Sequence, residues 1–539
     1  MTITKQRCPR NPDDFPAGQL FLLAIVRLAE PVALTSIFPY AWPLVKWYQV
    51  GKEEDASFYA GLLISSFALA EALTGMHWGA LSDRVGRKPV LLLGCLGTLF
   101  SMIMVGFASN MWFALFGRAL GGLLNGNIGV IQTMVGELVT KPEHEPRAFS
   151  VMPFVWSIGT IIGPAIGGTL ANPHHAWPTL FPEGSLFHRL PYLLPNLVCA
   201  LLLLISVVLG YFLLEETHPD LRPRDVVCPE VTYTSEEMPL NETSDAVKRP
   251  AVDVRSGTYG TFNESDPPPS PAVEVWEKRE DLTSRRSVFT KPIVALVIAL
   301  SIFTYHSMTY DHLLPIFFED DRVVPQTKSV VNVFATPLSS ILYSPGGLGF
   351  TVRTVGVIMA VDGAIALFIQ AIVFPLAAAW IGIHRLFVIV AVLHPIAYVI
   401  VPGLLYVPQS LLFPAIYLCL TIRSLFAIIL YPLLLILIKD AAPSRKALGK
   451  VNGLAASAGA ACRMIAPPIA GHLYGVGSKM DCTAIAWFGS ALVAIMGSFQ
   501  CFSVERRRNP AGDEEGESRG SRGSRELCRP SRDEVRGEE

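Results

Sequence analysis

Several ionisable residues lie inside long apolar runs, where exchanging protons or ion-pair partners is the chemistry open to them. The stretch RLAEPVALTSIFPY carries Arg27 and Glu30 one turn apart, followed by Pro31. Charges near the middle of a bilayer are costly unless paired or wetted, and this spacing permits an intrahelical pair. A carboxyl whose surroundings change during a cycle can take up and release a proton there; a static ion pair is the competing reading. The stretch SIFTYHSMTYDHLLPIFF adds His306 and Asp311, and the next apolar run adds Asp362. At least one of Glu30, Asp311 and Asp362 is expected to be the proton site. Arg423 and Arg463 are candidate counter-charges, unless they only pack against helix ends.

Three further patterns need positions rather than charges alone. Arg118, Gly122, Asn125, Gly129, Gln132 and Gly136 recur at steps of four and three, which places a polar, small-residue stripe on one helical face. Hydrocarbon would not tolerate that face, so it should look toward another helix or a wet cavity. Gly79-Ala-Leu-Ser-Asp-Arg-Val-Gly-Arg-Lys88 joins two apolar runs. In it, Gly79 and Gly86 would allow close approach and a sharp turn, and Asp83 would meet Arg87 and a helix end, beside Arg84 and Lys88. Glu137 is a candidate partner for this loop, or a mere helix-end charge. Gly159, Gly163, Pro164, Gly167 and Gly168 form a strip for close helix contact with a bend.

The elements that must hold these residues are membrane spans. The 539-residue chain is 51% hydrophobic and 16% charged, with a mean hydropathy of +0.42, too apolar for a water-soluble enzyme of this size. Runs of spanning length recur near 19–44, 58–81, 89–109, 112–139, 148–172 and 189–214, and again near 291–318, 351–374, 385–406, 411–438, 449–473 and 483–504. The expected fold is an all-α membrane protein of twelve transmembrane helices in two six-helix bundles, residues 19–214 and 291–505. Residues 1–18 read as an N-terminal tail, 215–290 as a disordered linker with the run DPPPSP, and 506–539 as a solvated tail. Short segments on one side hold about sixteen Lys and Arg against about seven on the other, which places both termini and the linker in the cytoplasm. The sequons at Asn241 and Asn263 would then stay unmodified.

The loop at 79–88 resembles the signature loop of the major facilitator superfamily, G-x-L-x-D-R-x-G-R-[RK], at every defining position. Arg118 matches that family's arginine in the fourth helix, which implies a role in proton coupling. The strip at 159–168 resembles G-x-x-x-G-P-x-x-G-G, a motif commonest in antiporters that export organic molecules. Together with NGNIGV and NGLAASAGAACRMIAPPIAG, these residues resemble the zinc-induced-facilitator-like branch of the drug:proton antiporters. That branch's amino-terminal cysteine element survives only as Cys8-Pro9, so the sequence offers no zinc ligands. The second signature loop, AAAWIGIHRLF, keeps Gly382 and Arg385 but lacks the acidic position.

Other classes find little support. Nine scattered cysteines make no C-x-x-C pair and have no partner histidines at metal spacing, so neither a disulfide scaffold nor a zinc site is indicated, and no metal or cofactor is expected. Forty-three basic residues against 45 acidic ones give no general attraction for nucleic acid, despite the Ser-Arg repeats of the tail. No phosphate-cradling loop or nucleophile motif accompanies the spans. The resemblance implies a monomeric secondary transporter, an exporter exchanging protons for a small organic solute across a plasma or vacuolar membrane, its charged residues converging on a hydrated cleft between two lobes. A nutrient importer, a uniporter and a non-transporting receptor are the alternatives.

Overall fold

The computed structural model describes residues 15–139, 145–218, 221, 290–322, 344, 346–441 and 445–504. The sequons, Cys8-Pro9, DPPPSP and the Ser-Arg tail lie outside them. Almost everything described is helical. In the first half the helices are α1 (Ala17–Ser36), α2 (Ala41–Tyr48), α3 (Ala56–Val85), α4 (Arg87–Phe107), α5 (Met111–Leu124), α6 (Asn127–Leu138), α7 (Glu145–Leu170), the short α8 (Pro173–Ala176) and α9 (Leu186–Arg189), and α10 (Leu193–Leu213). In the second half they are α11 (Lys291–Glu319), α12 (Val352–Phe368), α13 (Phe374–Ile381), α14 (Ile383–Leu393), α15 (Ile396–Val399), α16 (Leu412–Ala441), α17 (Arg445–Lys479) and α18 (Ala484–Gln500).

Nine helical stretches among the described residues are long and apolar enough to cross a membrane. A 21-residue helix such as α4 reaches roughly 32 Å, about the thickness of a hydrocarbon core. The other three expected runs depart from that standard. The fourth is split, because Asn125 and Gly126 leave helical geometry between α5 and α6. In the fifth, α7, the apolar stretch found among the described residues is Phe154–Leu170. The eleventh, α17, has 35 residues but is rich in Gly, Lys and Arg.

Proline and glycine shape the eighth and ninth runs. Between α12 and α13 the helix widens into a π segment at Ile369–Val373 just before Pro375, and α14 breaks at His394-Pro395. Large apolar side chains such as Phe212, Trp380 and Phe499 point outward, as they do where the solvent is lipid. The largest buried cluster joins the halves, with Tyr40 and Leu63 from the first against Tyr310, Phe317 and Trp487 from the second.

Candidate functional site

The loop at 79–88 is built around one turn. Gly86, at φ +112, ends α3 and starts α4, a conformation that side chains rarely tolerate. Gly382 repeats it at φ +85 between α13 and α14, although its loop lacks the acidic residue. Arg87 then turns back to Asp83 at 2.5 Å and donates to Glu137 Oε1 through Nε at 3.2 Å and Nη2 at 3.1 Å, and to Ser82 Oγ at 2.6 Å.

Two expectations need correction here. Among the described residues nothing lies within 4 Å of where a Cβ on Gly79 would sit, so that glycine serves no close approach to them. The helix end is met by Glu216 rather than by Asp83: its two oxygens accept from the Arg87 and Lys88 amides at 2.9 and 3.1 Å. A carboxylate on the first free amides of α4 satisfies both the orphan donors and the helix dipole. Replacing Glu216 with alanine is therefore expected to cost about 1 kcal/mol and to speed hydrogen exchange at the Arg87 and Lys88 amides, read by mass spectrometry. Glu137 Oε2 accepts from Thr217 Oγ1 at 2.7 Å, which ties this cluster to the chain beyond α10. Arg84 is exposed and pairs with no acid among the described residues.

Above the loop lies the first charged centre. Arg27 pairs with Glu30 along α1. Glu30 is 1% exposed, and its Oε1 and Oε2 accept from Asn125 Nδ2 at 2.8 Å and Asn127 Nδ2 at 2.7 Å. Both asparagines come from the break between α5 and α6, so the break positions the amides on the carboxylate. Trp78 Nε1 takes up the carbonyl of Leu123, freed by the same break, at 2.7 Å. The stripe expected on one continuous helix is accordingly divided. Arg118, Gly122 and Asn125 are buried, whereas Gly129, Gln132 and Gly136 are exposed on α6.

Arg118 is 3% exposed and forms no ion pair among the described residues. Its Nε donates to the Leu63 carbonyl at 3.4 Å, and its guanidinium lies 4.8 Å from the Phe67 ring centre. Glu30 and Arg118 are thus held by groups of the first half, whereas Asp311 lies on α11 of the second. A residue absent from the sequence-based set is within electrostatic reach of both Glu30 and Arg118. Glu71, on α3 and half-buried, feels the fields of Arg27, Arg118 and Glu30, and also of Arg463 on α17 in the other half. Arg463 forms no ion pair among the described residues; its link is to Glu71. Near this group the helix faces are open: among the described residues no atom lies within 4 Å of a Cβ on Gly75, Gly129 or Gly453, and Gln132 and Arg27 border a cavity of about 70 Å³, room for several waters.

The second charged centre belongs wholly to the second half. Arg423 on α16 pairs with Asp311 on α11 and lies 3.9 Å from Asp362 on α12, whose Oδ1 accepts from Ser424 Oγ at 2.7 Å. The guanidinium stands 4.9 Å from the Tyr310 ring centre. The Asp311 side chain is 38% exposed and that of Asp362 is 15% exposed, so one arginine serves an accessible and an inaccessible carboxylate. His306 is not part of this ion cluster. Its Nδ1 is 2.6 Å from the Tyr398 hydroxyl, and its ring packs against His394, another residue outside the expected set.

The strip on α7 has two partners. Gly159, Gly163 and Gly167 face Pro31, Thr35 and Ser36 of α1, while Gly168 faces Gly356 of α12 across the halves. Ser157 Oγ donates to Gln370 Oε1 of the π segment at 2.5 Å, a second link from α7 to the other half. Among the described residues no group of three or more His, Cys, Asp or Glu could hold a metal ion.

Comparison with known proteins agrees with this architecture. The family model described as Major Facilitator Superfamily matches residues 32–350. A relative from Aspergillus fumigatus named major facilitator superfamily multidrug transporter mfsB is 39% identical over 536 residues, covering 93% of this chain and 86% of its own. The Arabidopsis thaliana protein ZINC INDUCED FACILITATOR 1 is 26% identical over 464 residues, with 85% and 84% covered. The crystal structure of a D-xylose-proton symporter superposes with a TM-score of 0.61 over 92% of this chain and 98% of that one; at 14% identity the likeness is one of fold. A matched family model over more than half the chain, the signature loop in its turn and the paired helical halves lead to one conclusion: this chain belongs to the major facilitator superfamily, as a multi-pass membrane transporter and not an enzyme.

Proposed function

We propose that the protein is a proton-coupled antiporter that exports a small organic molecule by alternating access, with both termini in the cytoplasm of a cell whose plasma or vacuolar membrane it spans. The observation that carries this reading is Arg423, held between Asp311 and Asp362 in a single centre. A carboxyl that gains or loses its arginine exchanges its proton on that step. Solute binding beside the accessible Asp311 would draw Arg423 toward Asp362 or release it, coupling occupancy to a proton. The charge of Arg463 in the second half acts on Glu71 in the first, and rocking of the halves would change that interaction. The multidrug-transporter name borne by a 39%-identical relative supports export of an organic solute.

Purified protein in proteoliposomes carrying an internal pH dye tests this. Adding amphipathic organic compounds to one side under an imposed pH gradient is expected to release protons in step with solute uptake. Asp311→Asn should still bind solute but move no protons. Solute flux that ignores the pH gradient would indicate a uniporter, and binding without flux a receptor.

A further inference from the structure

The two halves meet closely at one end of the molecule, the outer end in the orientation above. There Ser57 Oγ donates to the Gly471 carbonyl at 2.8 Å, the His312 Nε2 lies 3.2 Å from the Ser57 carbonyl, and Lys479 Nζ pairs with Asp55 at 3.0 Å and Glu54 at 3.5 Å. The core beneath is aromatic and draws on both halves. Into this closed end α11 sends its last residue, Glu319. It is 9% exposed, and both carboxyl oxygens are buried with no hydrogen-bond partner among the described residues.

Each charged or polar neighbour is engaged elsewhere or offers no bond. Lys46 is the first-half cation whose field reaches Glu319, but its ammonium is committed to Glu53 and to the Trp42 ring face at 4.3 Å. Tyr192 lies within Coulomb range and makes no hydrogen bond to it. On the second-half side, Asp320 Oδ2 accepts from the Tyr474 hydroxyl at 2.8 Å. Burial pushes the Asp320 carboxyl up from its ordinary range, and that hydrogen bond pulls it partly back. Arg322 directs Nη2 to the carbonyls of Val407 at 3.0 Å and Leu405 at 3.4 Å. An ionised carboxylate enclosed this way has neither water nor a donor, a far costlier state than a neutral acid. Opening this end would return Glu319 to water, where the ionised form is favoured.

We propose that Glu319 is a second proton-binding site, separate from the charged centres in the spans: it takes up a proton when the halves close over it and releases that proton when they part. Acid then favours closure of this end and alkali favours opening. The site concerns the conformational equilibrium and stands whether or not export is driven by protons.

The test is a distance measurement on the full chain in nanodiscs, with spin labels on cysteines placed at exposed Lys52 and Met480, one on each half, and reactive native cysteines replaced. In the otherwise unaltered protein the closed fraction should rise as pH falls. Glu319→Gln, a permanently neutral acid mimic of similar shape, should hold the closed fraction at the wild-type acid level across the whole pH series. Glu319→Asp should keep a pH-dependent shift. Difference infrared spectra should lose one protonated-carboxyl carbonyl band in Glu319→Gln, a readout that a purely structural role would not move. The proposal is overturned if wild-type distances ignore pH, if Glu319→Gln shifts with pH as the wild type does, or if Asp320→Asn removes the dependence instead. Because the readout is distance and not flux, failure of proton-driven export in liposomes and failure of this site are separately visible.

Discussion

Replacing Arg423 with alanine is expected to abolish proton-coupled solute movement and to destabilise the second half by roughly 3–5 kcal/mol, the usual cost of stripping a buried carboxylate of its counter-charge. Asp362 bears most of that cost, because its side chain is 15% exposed and, among the described residues, keeps only the Ser424 hydroxyl as donor. Asp311, at 38% exposed, is partly wetted and contributes less. The loss should appear as a lower melting temperature in detergent together with absent flux in liposomes. Arg423→Lys separates the two effects. A lysine keeps the charge but not the planar fork that can address two carboxylates, so folding should largely recover while coupled flux does not. Combining Arg423→Gln with Asp311→Asn and Asp362→Asn removes charge from both sides and should restore stability without transport. An Arg423→Ala protein that melts like the wild type would show that the centre is already neutral.

Much of this centre was readable in the amino-acid order, because isolated charges in apolar runs are conspicuous and Asp311, Asp362 and Arg423 are such charges. Their grouping was not, since helices far apart in sequence meet at registers that no periodicity encodes. Glu71 stood in equally plain view, a single carboxylate in the run Phe-Ala-Leu-Ala-Glu-Ala-Leu. It has no basic residue one turn away, and its partners come from α1, α5 and α17. The break at Asn125-Gly126 also had a local signal. Asn-Gly-Asn is a poor helix former, yet the step of four and three runs through it and reads as one helix. Only the requirement of Glu30 for two amide donors explains why the chain opens there, and that requirement is tertiary. Glu216 was hidden for another reason: it lies just past the sixth apolar run, in a stretch whose composition reads as linker, while its function is to cap a helix that begins 129 residues earlier.

The glycine strip on α7 yields the second large effect, and it distinguishes folding from switching within two adjacent residues. A Cβ at position 167 would sit 1.8 Å from the Ser36 carbonyl oxygen of α1, backbone within the same half that has no room to yield. Gly167→Val should therefore prevent α1 and α7 from packing, and stable protein should not accumulate. A Cβ at position 168 would instead sit 2.5 Å from the Gly356 Cα and 2.7 Å from the Val352 carbonyl oxygen, both on α12 of the other half. That collision arises only where the halves meet. Gly168→Val should fold with near-wild-type melting, be unable to complete closure of the end bearing Ser57, and lose essentially all flux. Its signature would be reaction of a Ser57→Cys probe, 1% exposed in the native residue, with a membrane-impermeant thiol reagent that leaves the same cysteine untouched beside Gly168. Normal transport by Gly168→Val would mean that α7 and α12 never approach this closely in the working cycle. Misfolding of both variants alike would place Gly168 with Gly167, among residues that build the half rather than move it.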